Sequence, residues 1–226
     1  MRVRWFGQST FLLSGERTVA IDPFEMPREL LAQRGLRFDY PPIGELEADL
    51  LLITHEHADH NAAHLVRGEP ATIRATAGSF ESPVGRVLGI ASEHDDAAGT
   101  VRGANTIFRF TLDGIRCCHL GDLGQAALRP EQRRAIGEID LLFTPAGGGP
   151  TVGGPAAAEL VRSLTPRIVI PMHYRTDAID FLDPPDDFLA ALGWPTRRLA
   201  ASEAEIEPLL GADGSQAVLL LAAPTA

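Results

Sequence analysis

The sequence predicts an α/β fold in which β-sheets are covered on the outside by helices. Three observations carry this reading. The early chain alternates short extended runs with turns, and the later chain alternates buried apolar runs with helical segments. The length of 226 residues is also enough to bury a sizeable core. The composition, 45% hydrophobic and 22% charged, is that of an ordinary folded soluble protein rather than a disordered chain.

Taken in order, residues 3–6, 10–13 and 18–21 read as a meander, with Gly15-Glu16 as a turn and Asp22-Pro23 ending the third strand. Residues 25–48 carry Pro27, Pro41 and Pro42, which predicts a loop with one short helix over 28–34. Residues 49–54 form a continuous apolar run, the pattern of a strand buried on both faces, ending directly at His55. A helix is expected to begin over 61–66, and strands over 71–76 and 86–92. Asp113-Gly114 between 106–112 and 115–119 is the strongest hairpin signal in the chain. Pro130 opens a helix over 130–136. Residues 140–144 and 167–171 are further buried strands, separated by a helix over 155–164 with Ala157, Leu160, Val161 and Leu164 on one face. A helix over 186–192 and a strand over 217–221 complete the series, which reads as a single domain without repeats or linkers.

Charge and cysteine content limit the function classes. The net charge of −10 opposes a nucleic-acid backbone, so no nucleic-acid partner is expected. Cys117 and Cys118 are neighbours on a predicted strand and point to opposite faces, so no disulfide is expected and the compartment reads as reducing. The N-terminal residues do not have the pattern of a signal peptide, and the longest apolar run, 217–223, is too short to span a bilayer. A cytoplasmic location with no membrane partner is the expectation.

The chemistry concentrates in Thr54-His55-Glu56-His57-Ala58-Asp59-His60. Four of the seven histidines lie within residues 55–64. A chain with this histidine and aspartate content contains an HxHxDH pattern by chance about once in two thousand cases. In an extended segment residues i and i+2 point the same way, so His55 and His57 can reach one cation, while Asp59 and His60 follow a turn and can face a second. Imidazole and carboxylate donors suit zinc, and also manganese or iron. One segment cannot complete two sites, because each ion takes at least three protein ligands. The remaining candidates are His64, His94, His119, His173, Asp22, Asp95 and Asp122, several of which stand where an apolar strand ends. Asp22 can support the histidine segment or simply close a turn. Gly147-Gly148-Gly149 can approach an anion or form an ordinary turn. Arg175 suits an anionic substrate group, and Trp5 belongs to the core.

These stretches together resemble the metallo-β-lactamase fold superfamily, and within it the small metal-dependent hydrolase branch similar to L-ascorbate-6-phosphate lactonase. The matching segments are Trp5-Phe6-Gly7-Gln8-Ser9-Thr10, Ile21-Asp22-Pro23-Phe24, Thr54 through Asn61, Glu93-His94-Asp95, Arg102 through Thr106, His119-Leu120-Gly121-Asp122-Leu123-Gly124 and Ile170-Pro171-Met172-His173-Tyr174. The resemblance implies a four-layer αββα sandwich with the site on one edge between the sheets. It implies two divalent metal ions, zinc first and manganese or iron as alternatives. His55, His57 and His94 would hold one, Asp59, His60 and His173 the other, and Asp122 would bridge them, with Asp95 as an alternative to His94. Diiron oxygen-reducing relatives carry glutamate where His57 stands, and common class B β-lactamases carry cysteine where Asp122 stands, so neither activity is implied.

The expected function is hydrolysis of a small ester, lactone or phosphoester, anionic groups included. The two cations would share a water and lower its pKa so that hydroxide exists at working pH, with Asp59, Asp122 and His119 as catalytic candidates. A mononuclear iron persulfide dioxygenase and a non-catalytic metal-binding module are the alternatives. A small-molecule substrate is the expected partner, and a homo-oligomer is compatible with the sequence.

Overall fold

The computed structural model describes residues 1–211 and 214–225. In chain order its strands are β1 (Arg2–Gly7), β2 (Thr10–Ser14), β3 (Thr18–Ile21), β4 (Leu46–Glu47), β5 (Leu50–Ile53), β6 (Val66–Arg67), β7 (Ala71–Arg74), β8 (Gly78–Ser82), β9 (Gly85–Glu93), β10 (Ala104–Leu112), β11 (Ile115–His119), β12 (Leu141–Pro145), β13 (Ile168–Met172), β14 (Thr196–Arg198), β15 (Glu203–Glu205) and β16 (Ala217–Leu220). The helices are α1 (Arg28–Gln33), α2 (Pro130–Ile136), α3 (Gly154–Leu164) and α4 (Asp186–Leu192).

A six-stranded sheet in the order β15-β1-β2-β3-β5-β7 faces an eight-stranded sheet in the order β14-β16-β13-β12-β11-β10-β9-β8. Period-two alternation explains how the first sheet can face two ways. Val3, Trp5, Phe11, Leu13, Val19, Ile21, Leu50 and Leu52 enter the main core, while Phe6, Ala20, Leu51 and Ile53 belong to a second cluster with Leu46, Ala48 and Val66. The two sheets meet directly: the rings of Phe11 on β2 and Phe143 on β12 lie 4.5 Å apart. Helix α3 buries Ala157, Ala158, Leu160, Val161 and Leu164, and packs against β12 and α4. This is the expected α/β sandwich, with one refinement. Over the second cluster the covering elements are the β4–β6 ribbon and the 3-10 turn Ala63–Leu65 rather than a long helix.

Most elements lie within a residue or two of their expected positions, and the Asp113-Gly114 hairpin forms with both residues at positive φ, 51° and 77°. The helix expected over 61–66 does not form. Ala62 N–H is drawn to Pro23 O at 2.8 Å, and β-branched Val66 pairs with Leu46 instead, leaving a single 3-10 turn. Strands β4, β8, β14 and β15 were not expected. They are short or solvent-facing, so they show no apolar alternation for the sequence to reveal. Both cysteines are free and buried. Among the described residues, no helix is long and apolar enough to cross a membrane.

The topology points one set of strand ends at a common edge. β1, β3 and β5 run the same way in the first sheet, as do β9, β11, β12 and β13 in the second. The residues that follow these strands (Gln8-Ser9, Asp22, Thr54-His55, His94, Leu120 to Asp122, and His173) therefore gather along the rim where the two sheets meet.

Candidate metal centre

Two groups of ligand-bearing side chains assemble on this rim. His55, His57 and His94 place one donor atom each within 4.8 Å of one another, and so do Asp59, His60, Asp122 and His173. One atom joins the groups. Asp122 Oδ2 lies 3.2 Å from His60 Nε2, 3.2 Å from His173 Nε2 and 3.4 Å from His94 Nε2. All seven residues expected as ligands are thus brought together, and Asp122 stands between the two groups.

The local sequence explains how each is held. Asp22, at the end of β3, takes a positive φ of 46° and is fully buried. Its Oδ1 accepts Thr54 N–H at 2.7 Å, and its Oδ2 accepts the Thr54 hydroxyl at 2.7 Å and pairs with His60 Nδ1 at 2.9 Å. Thr54 Oγ1 is in turn 3.0 Å from His55 Nδ1, and His55 Nε2 is 3.0 Å from His57 Nδ1. Asp22 therefore supports the histidine segment and is more than a turn residue. Glu56 points away, paired to exposed Arg74 through both carboxylate oxygens at 2.7 and 2.8 Å.

Asp122 is held at its carboxylate and at its backbone. Ser9 Oγ donates to its Oδ1 at 3.0 Å, and its own N–H donates to Asn105 Oδ1 at 3.0 Å. Asn105 Nδ2 donates to Leu120 O at 2.8 Å and Ser92 Oγ at 2.7 Å. Gly121 makes this approach feasible: its φ is 58°, and a Cβ there would stand 2.3 Å from Asn105 Oδ1 and 2.8 Å from Thr54 Cβ.

Several open readings resolve. His94, not Asp95, joins the first group. Asp95 turns back to accept the N–H groups of Ala97, Gly99, Val101 and Arg102 at 2.7–3.0 Å, shaping the loop after β9. The glycine-rich loop backs the site instead of facing an anion. His94 Nδ1 bonds Pro150 O at 3.1 Å and Gly147 N–H donates to His173 O at 3.0 Å. His64 is an exposed partner of Glu25 and joins neither group. His119, expected among the catalytic residues, is engaged by backbone groups. It is fully buried, its Nε2 lies 3.0 Å from Ser9 O and its Nδ1 accepts Gly121 N–H at 3.1 Å. With both nitrogens engaged by backbone, it braces the loops that carry Ser9 and Asp122 and has none left for a substrate. Sequence reasoning gave Ser9, Thr54 and Asn105 no role of their own, although all three lie in matching segments, and did not reach Pro150. The available signal was Gln8-Ser9-Thr10, three polar residues interrupting a buried meander.

The electrostatics favour cation binding. Burial, reinforced by the neighbouring imidazoles, pushes His55 down to about 2. Burial also lowers His57 and His173, so these rings are neutral and offer lone pairs at neutral pH. Burial opposes charge on His60, but Asp122, Asp59 and Asp22 outweigh it and hold it well above the usual imidazole range. Burial likewise opposes charge on Asp122, yet His173 and His60 hold it well below the usual carboxylate range. Among the described residues, Asp22 and Asp122 have histidines as their ion-pair partners and no lysine or arginine. His60 Nε2 is buried and faces Asp122 without hydrogen-bond geometry to any group. Buried carboxylates whose described partners are titratable imidazoles, from which a bound ion can displace the proton, fit divalent metal ions held by nitrogen and oxygen donors.

Fold and site together define a metal-dependent hydrolase, and the chain belongs to the β-lactamase superfamily domain family, whose model matches residues 2–173. Its relatives narrow the branch. It is 29% identical over 243 residues to a UPF0173 metal-dependent hydrolase of Thermococcus onnurineus, covering 97% of this chain and 96% of the relative. It is 31% identical over 202 residues to its counterpart in Thermococcus kodakarensis, covering 78% and 85%. Among solved structures it is similar to a proposed Zn-dependent hydrolase of the metallo-β-lactamase superfamily from Thermotoga maritima, with 32% identity, 98% of both chains covered and a TM-score of 0.77.

Proposed function

We propose that this protein is a two-metal hydrolase of small ester, lactone or phosphoester substrates. The observation that carries this reading is Asp122 Oδ2, 3.2–3.4 Å from imidazole nitrogens of both ligand groups. A carboxylate there can bridge two cations. His55, His57 and His94 would hold one, and Asp59, His60 and His173 the other. Zinc is the favoured ion, in line with the donor set and the Thermotoga relative, with manganese or iron as alternatives. Cations bound there supply an activated water at neutral pH and offset negative charge developing on the substrate.

The chain's own residues supply the rest. Asp122 and Asp22 balance the positive charge, and the Thr54, Asp22 and Pro150 contacts fix the rings so that little reorganisation accompanies the reaction. Asp59 is 24% exposed, the most accessible of the clustered carboxylates, which supports it as the residue that would pass a proton to a leaving group. Arg175 lies two residues beyond His173, exposed, with its Nε donating to Leu182 O at 2.6 Å, and provides a cation for an anionic substrate group. A cytoplasmic location suits the two free thiols.

A panel of lactones, carboxylic esters and phosphodiesters, assayed with zinc, manganese and iron, tests the reading. Hydrolysis of at least one class is expected, with Asp122→Ala losing both metal and at least 100-fold of turnover, as is typical of a missing central charge (roughly 3 kcal/mol). Undiminished turnover by Asp122→Ala on every responsive substrate contradicts it.

A further inference from the structure

Each ring nitrogen that faces away from the metal ions needs a partner to fix its tautomer and orientation. His55 Nδ1 has Thr54 Oγ1, His60 Nδ1 has Asp22 Oδ2 and His94 Nδ1 has Pro150 O. His57 is exposed to solvent, which leaves His173 as the buried exception. Its Nε2 is 3.2 Å from Asp122 Oδ2, but its Nδ1 is buried with no hydrogen-bond partner among the described residues.

Gln8 has the complementary deficit. Its side chain is 1% exposed, and both Oε1 and Nε2 are buried without a partner. A buried carboxamide with neither end satisfied is rare in a folded protein and calls for an explanation. The two deficits adjoin in space, because His173 N–H donates to Gln8 O at 3.3 Å. Both residues also hold positive φ, 46° at Gln8 and 50° at His173, a conformation that non-glycine residues keep only when their surroundings impose it. Trp5 Nε1 donating to Gln8 O at 2.9 Å, and Ser9 Oγ donating to Asp122, hold the turn at Gln8. The amide is buried, which favours a partner inside the protein over one in bulk solvent.

We propose that Gln8 orients His173: its side-chain carbonyl accepts the His173 Nδ1–H, which leaves Nε2 as the lone-pair donor toward the cation. The bond requires the Gln8 side chain to turn toward His173, whose backbone N–H already meets Gln8 O. Gln8 is therefore a positioning residue, acting through His173 on the cation beside Asp122. The inference rests on the two-metal reading above.

The test compares the wild type with Gln8→Met, close in size and apolar, and Gln8→Glu, which keeps an acceptor. Two quantities are measured on metal-free protein: stepwise Zn²⁺ affinity by competition with a chromophoric chelator, and the thermal midpoint. Gln8→Met is expected to bind one of its two zinc ions roughly 10- to 100-fold more weakly. Its metal-free midpoint should fall by no more than a few degrees, because the acceptor lost to His173 Nδ1–H is offset by removing the unpaired Gln8 Nε2 from the interior. Gln8→Glu should bind both ions within a few-fold of the wild type. Wild-type affinity in Gln8→Met overturns the inference, as does an equal loss of affinity and metal-free stability in both variants. A wild type that binds no second zinc overturns the two-metal reading, and this inference with it.

Discussion

Asp22 places three hydrogen bonds with two oxygens from a left-handed backbone position, and each bond ends on the segment that carries the histidines. Asparagine fits the same conformation and volume but would point an N–H at the Thr54 hydroxyl or at His60. Asp22→Asn should therefore destabilise the fold by about 1–3 kcal/mol, through the buried donors it strands. It should also weaken metal binding roughly 10-fold or more. Denaturant unfolding and chelator competition read the two effects separately. A variant indistinguishable from wild type in both would mean that Asp22 does not orient His60. The sequence leaves this residue open between supporting the histidine segment and closing a turn; its role depends on β3 and β5 lying side by side, a non-local pairing.

At the scale of elements, the site is a set of strand ends, so it depends on how closely neighbouring ends approach. Gly121→Ala tests this. With φ at 58° and a Cβ 2.3 Å from Asn105 Oδ1, alanine must push the Asp122 loop away from β5. The expected result is a stability loss of about 2 kcal/mol or more and a clear drop in metal content, measured by thermal unfolding and elemental analysis. An alanine variant with normal metal content would show that the loop tolerates the shift.

Farther from the site, Arg116 on β11 is joined to Asp140 before β12 by a two-pronged pair, Nε to Oδ2 and Nη2 to Oδ1, both 2.9 Å. The Arg116 hydrogen bonds hold Asp140 below its ordinary value. A depressed carboxylate contributes stability above the unfolded-state value of about 4, and that contribution is lost as pH falls through the folded value. Asp140→Asn should therefore be less stable than wild type by about 1 kcal/mol at pH 7, allowing for solvent screening, with the gap closing below about pH 4. Urea unfolding across that range checks the sign.

The same scale explains what could be read from sequence. The apolar runs of β5, β12 and β13 are buried on both faces and announce themselves, and so do the histidines that follow β5 and β13. The edge strands β8, β14 and β15 carry no such pattern, because their side chains are largely exposed. Spacing separated His55 and His57 from Asp59 and His60, but the assignment of His94, Asp122 and His173 came from the resemblance, since it needs both sheets in place. The engagement of His119 by backbone was invisible for the same reason: Ser9 is 110 residues away along the chain.

For the whole molecule, the acidic balance of −10 and the buried, histidine-paired carboxylates Asp22 and Asp122 mean that cations bound at the rim add to folding stability. Cation removal should lower the thermal midpoint as well as abolish turnover. The most direct measurement is the metal content of the purified protein by elemental analysis, repeated with Asp122→Ala and paired with hydrolysis before and after chelation. Two divalent ions per wild-type chain are expected, fewer in Asp122→Ala, and hydrolysis should disappear on chelation and return with added metal. A single iron per chain with oxygen consumption, or hydrolysis that survives complete removal of metal, would contradict a two-metal hydrolase.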